Sequence, residues 1–245
     1  MFGLFVLFFS YLVGFAQTGP SGRNIVGQDD FLTVNENLSN IPEKWWRLAD
    51  SVGRFSMGCT GTHLGRGLVA TAGHCFDASQ NITQNSACEK VQIRWGYRGS
   101  TQSTLVSQCL RIIAMQNRPG IDYALVEVSP PPPSWVNIDP RPLSLDQERA
   151  TLFSHPKGRP LQWSRYCRTK KLDPPPRDAR FIYHECDTQP GSSGAAVVLE
   201  NTGRVVALHK GGAEIPNLGT WNFATRLTET PIPQIIIWSQ QQRRR

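Results

Sequence analysis

Three short segments carry side chains whose types, taken together, can break an acyl bond: Thr71-Ala72-Gly73-His74-Cys75, Asp122-Tyr123-Ala124-Leu125 and Gly191-Ser192-Ser193-Gly194. A serine hydroxyl is a weak nucleophile at neutral pH, so it needs a base that accepts its proton during attack and returns it to the leaving group. An imidazole does this only if it presents the right nitrogen, and a buried carboxylate both orients it and stabilises the imidazolium. His74, Asp122 and Ser193 are therefore the candidate base, orienting acid and nucleophile. Each alone has a plain explanation: a packed histidine, a strand entrance, a flexible Gly-Ser loop. The weight lies in their joint occurrence. Ser192 is the nearest rival nucleophile, while His63, His155 and His184 match no catalytic position and are read as structural or surface residues.

Such residues must be held by a scaffold, and the chain announces a β-rich one. Of 245 residues 39% are hydrophobic and 18% charged, with 21 Gly and 18 Pro, a profile that fits a folded domain poor in helix. Short β-type runs occur at 67–72, 91–95, 124–128, 195–199, 205–209 and 220–224, bounded by Gly, Pro and Asn, which argues for an antiparallel sandwich or barrel. Glu200-Asn201-Thr202-Gly203 reads as a hairpin turn between two of them. Pro130 to Pro133 cannot donate to a sheet ladder and reads as a linker between two halves of roughly 100 residues. Pro231-Ile232-Pro233 is placed to start a C-terminal helix running to Gln242.

The apolar run from Phe2 ends in Gly14-Phe15-Ala16, a small-x-small pattern, and is too short to cross a bilayer. The expected organisation is a signal peptide over 1–16, a propeptide over 17–23, one barrel over 24–133, a second over 134–230, and a helix with a basic tail over 231–245. A secreted, extracellular protein without stable membrane insertion follows. Secretion also governs the six cysteines, Cys59, Cys75, Cys88, Cys109, Cys167 and Cys186, which form no Cys-x-x-Cys pair and read as three disulfides. Six cysteines allow 15 connectivities; the loop-local set is Cys59–Cys75, Cys88–Cys109 and Cys167–Cys186. The net charge of +7 carries no basic run with interleaved aromatics, only Lys170-Lys171 and the terminal Arg243-Arg244-Arg245, so solubility is expected and not nucleic-acid binding. Asn37 and Asn81 lie in glycosylation sequons.

The three chemical segments, in the chain order His, Asp, Ser and with Cys59 and Cys75 bracketing the histidine, resemble the motifs of the chymotrypsin-like serine peptidases. The resemblance spans 24–238. It implies two six-stranded antiparallel β-barrels, an oxyanion hole from the N–H groups of Gly191 and Ser193, protein or peptide substrates, no metal or organic cofactor, and a monomer. The expected activity is that of a serine endopeptidase with its acyl-enzyme on Ser193. The reactive serine falls at Ser193 because Gly-x-Ser-Gly places it there.

Two departures matter. Ala195-Ala196 replace commoner residues after the nucleophile without removing a catalytic group, and Ser192 stands where trypsin-type enzymes carry the Asp of their activation switch. Within the superfamily, segments 25–30, 187–194 and 206–212 resemble the bacterial glutamyl endopeptidases. That likeness implies that Thr188, His209 and a new α-amino group at Asn24 line the primary pocket and select Glu or Asp. Asp187 offers the alternative of trypsin-like cleavage after Arg or Lys. A non-catalytic binding homologue is the remaining alternative.

Overall fold

The computed structural model describes residues 24–76, 85–99, 103–141, 144–172, 175 and 180–241. The expected signal peptide, the propeptide, the Asn81 sequon and the terminal arginines lie outside the described residues.

Strand periodicity explains the first barrel. In Gln92–Trp95 (β5) Ile93 and Trp95 are buried and Gln92 and Arg94 exposed, the period of two that directs alternate side chains to opposite faces. Ile93 and Trp95 meet Phe55, Val69 and the Cys88–Cys109 bridge in one core. Each such fully buried side chain contributes about 1.5–3 kcal/mol relative to exposure. Six strands close around that core in the order β2-β3-β4-β7-β6-β5, where β2 is Val52–Phe55, β3 Thr60–His63, β4 Leu68–Thr71, β6 Leu105–Arg118 and β7 Ile121–Ser129.

The second barrel comprises β8 (Arg149–Ser154), β9 (Gln162–Lys170), β10 (Phe181–His184), β11 (Ala196–Leu199), β12 (Val205–Ile215) and β13 (Gly219–Arg226). They run in the order β9-β10-β13-β12-β11-β8, and a β8–β9 pairing closes the ring. The fold is thus two closed six-stranded antiparallel barrels, as expected. The turn predicted at 200–203 joins β11 to β12.

One connection runs against the linear division of the chain. Leu32–Thr33 (β1) pairs with Gln162 and Trp163 of β9, so the N-terminal segment hydrogen-bonds to the second barrel. A short helix, Trp46–Asp50 (α1), precedes the first barrel, and Ile232–Gln241 (α2) follows the second with Pro233 in its first turn. The buried Ile232 and Ile236 of α2 join Leu125 of β7 and Leu208 of β12 in a core that runs between the barrels. No helix among the described residues is long and apolar enough to cross a membrane.

All three loop-local disulfides are present. Cys59–Cys75 closes a separation of 16 residues around the histidine segment. Cross-links of that span stabilise chiefly by restricting the unfolded chain, by roughly 2–4 kcal/mol. Urea unfolding of a Cys59→Ala, Cys75→Ala double variant is expected to show a loss in that range; an unchanged midpoint would contradict it.

Candidate active site

Each of the three chemical side chains sits near a strand end, and these ends meet where the two barrels touch. His74 lies in a turn of 3-10 helix, Gly73–Cys75, just after β4. Gly73 is required there, since a Cβ would stand 2.1 Å from Gln116 O and 2.8 Å from Tyr123 O. The His74 N–H donates to Asp122 Oδ1 at 2.9 Å, which fixes the turn to the start of β7. Its ring Nδ1 lies 2.6 Å from Asp122 Oδ2 and its Nε2 2.9 Å from Ser193 Oγ. An ionised carboxylate only accepts, so Nδ1 carries the proton and Nε2 is left to take one from the serine.

Asp122 is completely buried, and burying a carboxylate is costly unless its lone pairs are used. They are: besides the two bonds to His74, Lys210 Nζ stands 3.9 Å from Oδ2. The second barrel also grips the Asp122 main chain. Thr225 Oγ1 on β13 accepts the Asp122 N–H at 3.2 Å and donates to the Asp122 carbonyl at 2.9 Å.

Ser193 follows a loop that only glycine can begin. Gly191 has φ +99°, and a Cβ there would sit 2.6 Å from His155 O. Among the described residues the N–H groups of Gly191 and Ser193 donate to no protein acceptor, the condition an oxyanion hole requires. The rival Ser192 is buried with its hydroxyl against Ser154 Oγ at 3.0 Å and accepting the Gln189 N–H at 3.2 Å, so it is a loop tie and not an accessible nucleophile.

The expected pocket residues fall into two adjoining groups. Asn24 and Thr188 exchange backbone hydrogen bonds of 3.2 Å, and the Asn24 side chain lies against Gly212 of β12. Asn222 of β13 joins them: its Nδ2 donates to Asn24 O at 2.8 Å and its Oδ1 accepts the Thr188 hydroxyl at 2.7 Å. The Thr188 hydroxyl thus gives its proton to Asn222. His209 is buried on β12 with Nδ1 3.2 Å from His184 Nε2 on β10, and the registers set Asn222 between the groups, opposite both His184 and Gly212.

Burial, and the neighbouring His184 and His74, hold His209 well below the ordinary histidine value, while burial pushes His184 down to about 3. Both rings are therefore neutral near pH 7. His209 therefore meets the site as a hydrogen-bonding imidazole. Asp187 does not stand free as a countercharge either. Its Oδ1 accepts the Val26 N–H at 3.0 Å and its Oδ2 the Asp30 N–H at 2.7 Å. Burial raises its pKa, with those two N–H groups opposing. The two oxygens anchor the N-terminal segment, whose backbone needs these acceptors.

Thr60, Thr225 and Lys210 were not singled out by sequence reasoning, and His184 was read there as a structural or surface residue. Only the tertiary fold brings them to the site.

Comparison with known proteins agrees with the geometry. The model of the family described as "Trypsin-like peptidase domain" matches residues 59–208. Serine protease 23 of Homo sapiens is 24% identical over 266 residues, covering 90% of this chain and 67% of that protein. The Rattus norvegicus protein of the same name is 24% identical over 258 residues, covering 88% and 64% respectively. This chain thus spans about two thirds of the relatives' length. Among solved structures, the inactive form of a serine-to-alanine mutant of Rv3671c from M. tuberculosis H37Rv is similar with a TM-score of 0.56 at 17% identity, covering 86% of this chain and 97% of that one. The inactive form of the Rv3671c protease gives 0.54 at 17% identity, over 80% and 92%. At that identity the structures speak for the fold alone.

Proposed function

The chain belongs to the trypsin-like peptidase domain family and is a serine endopeptidase, and from that premise we propose that it is secreted and acts through an acyl-enzyme on Ser193, cutting after Glu or Asp. The observation that carries the mechanism is the continuous chain from Asp122 Oδ2 to His74 Nδ1 (2.6 Å) and from His74 Nε2 to Ser193 Oγ (2.9 Å). Ser193 Oγ attacks the scissile carbonyl carbon as its proton passes to His74 Nε2. The carbonyl electron pair moves onto oxygen, where the N–H groups of Gly191 and Ser193 receive it. Collapse breaks the C–N bond, and the amine leaves with the proton from His74. Water then attacks the acyl ester, gives a proton to His74, and the acid product departs as Ser193 Oγ takes that proton back.

The acidic preference rests on the neutral His209–His184 pair. If His184 Nε2–H donates to His209 Nδ1, then His209 Nε2 bears a proton available to a substrate carboxylate. The opposite tautomer would leave His184 Nδ1, which has no partner among the described residues, as a buried N–H donor, the costlier orphan. A carboxylate entering the site must be repaid for lost hydration by donors and charge. His209 gives the donor. The ammonium of Asn24, released by a cut after Arg23, gives the charge, and Ser192 offers no carboxylate to divert it. Cleavage after Arg or Lys would need Asp187, whose oxygens are engaged by Val26 and Asp30.

Two chromogenic peptides differing only in Glu or Arg before the leaving group test this on protein beginning at Asn24 and at Gln17. The Glu peptide is expected to turn over faster, by roughly tenfold or more, and only in the form that begins at Asn24. Faster Arg turnover that Asp187→Ser abolishes would reverse the specificity; full activity in the Gln17 form would remove the activation step.

A further inference from the structure

Resting on the Ser193 mechanism above, we propose that the side-chain hydroxyl of Thr60, on the opposite barrel, is the positioning group that keeps the oxyanion loop in its working conformation. Thr60 opens β3 directly after Cys59 and is completely buried. Besides its strand pairing, four hydrogen bonds tie it to its surroundings among the described residues. Its N–H donates to Ser193 O at 2.9 Å, and its Oγ1 donates to Gly191 O at 2.7 Å. The same Oγ1 accepts the His155 N–H at 3.0 Å, and Thr60 O accepts the Thr71 hydroxyl at 2.7 Å. The two residues whose carbonyls Thr60 holds are the two whose N–H groups face the developing oxyanion.

The hydroxyl matters because of where freedom lies in that loop. Gly191, at φ +99°, has no Cβ to hinder rotation of the peptide planes on either side of it. Rigidity must therefore come from bonds to those planes. The plane before Gly191 is held by the Lys157 N–H, which donates to Pro190 O at 2.5 Å. A trans peptide points its C=O and N–H in opposite directions, so this bond turns the Gly191 N–H away from Lys157. The plane after Gly191 is held at its two ends: the Ser192 N–H donates to Gln189 O at 2.9 Å within the loop, and Thr60 Oγ1 ties the Gly191 carbonyl to the opposite barrel. Among the described residues this is the one side-chain hydrogen bond to the main chain of 191–193. The hydroxyl is fully used: its single proton goes to Gly191 and its lone pair takes His155, a residue of the loop that carries Lys157. One oxygen from the first barrel thus ties together both strands of chain that aim the Gly191 N–H. Donors held in place before the reaction stabilise the transition state without reorganising.

Thr60→Val keeps shape and β-branching and removes only the oxygen. In the protein that begins at Asn24 it is expected to lower kcat about tenfold to a hundredfold, short of the 10²–10³ for outright loss of an oxyanion donor, with KM within about twofold. Affinity for a peptide aldehyde, whose hemiacetal oxygen occupies the oxyanion position, should weaken by the same factor. Thr60→Ser should restore both. A structural role alone would shift the thermal midpoint and leave kcat and aldehyde affinity intact. Should the valine variant fail to fold, Thr60→Cys, with its weak and long-reaching donor, is expected to give the same split against Thr60→Ser. A kcat within twofold of wild type in the folded variant, or a fall in kcat with unchanged aldehyde affinity, would overturn the inference. Wild-type protein that neither cleaves peptides nor binds aldehyde would overturn the Ser193 mechanism, and this inference with it.

Discussion

Ser193→Ala is expected to lower kcat on a chromogenic peptide by about six orders of magnitude, the scale on which serine peptidases lose rate when the nucleophile is removed. The remaining rate would come from binding and the oxyanion donors, which alone give roughly 10³–10⁴ over water. Nothing nearby can substitute. Ser192 is the adjacent hydroxyl, but it is buried and held by Ser154 and Gln189. His74 Nε2 would lose the Ser193 hydroxyl it meets at 2.9 Å and have no proton to take. His74→Ala should therefore cost about as much, and the double variant little more, because the pair acts as a unit. A fluorophosphonate that forms an ester at Ser193 should label the wild type and not the alanine variant. Labelling that survives Ser193→Ala would place the nucleophile elsewhere, and absence of labelling in folded wild type beginning at Asn24 would favour the non-catalytic binding homologue.

What the sequence disclosed and what it withheld divide by distance along the chain. The strand at Gln92–Trp95 was legible because its alternation is local, and Cys59–Cys75 because its loop is short. The candidate catalytic side chains stood out through motif and order, since Gly73, Gly191 and Gly194 write the turns beside them into the sequence. The destination of Asp187 was not. Its carboxylate could be weighed as a pocket group until the fold set Val26 and Asp30, 161 and 157 residues away, against its oxygens. The same holds for Thr60 and Gly191, separated by 131 residues, and for Thr225 and Asp122, separated by 103. A threonine in a strand is explained well enough by β-propensity, so its hydroxyl gives no warning of a partner on another barrel. The pairing of Leu32–Thr33 with the second barrel was hidden for a related reason, as two residues are too few to show a period.

The second large effect is expected at Asp122, where Asn should lower kcat by about 10⁴ with the overall geometry kept. The carboxylate accepts at both oxygens, from the His74 N–H at 2.9 Å and from Nδ1 at 2.6 Å. An amide can accept at only one of those places and must donate at the other. The His74 main-chain N–H cannot change role, so the amide oxygen is drawn to it and the amide nitrogen faces Nδ1. That arrangement is satisfied only when Nδ1 is unprotonated, which moves the ring proton to Nε2. Nε2 then donates toward Ser193 Oγ and cannot take its proton. Lys210 does not rescue the site, because an ammonium 3.9 Å from the former carboxylate oxygen is a donor and no acceptor. Thr225 continues to hold the main chain of residue 122 through its two bonds, so the variant should fold and bind peptide with KM near wild type. Steady-state kinetics against the Glu peptide, beside a thermal unfolding curve, separates the outcomes. A folded Asp122→Asn protein with kcat within tenfold of wild type would show that the tautomer of His74 is set by something other than this carboxylate.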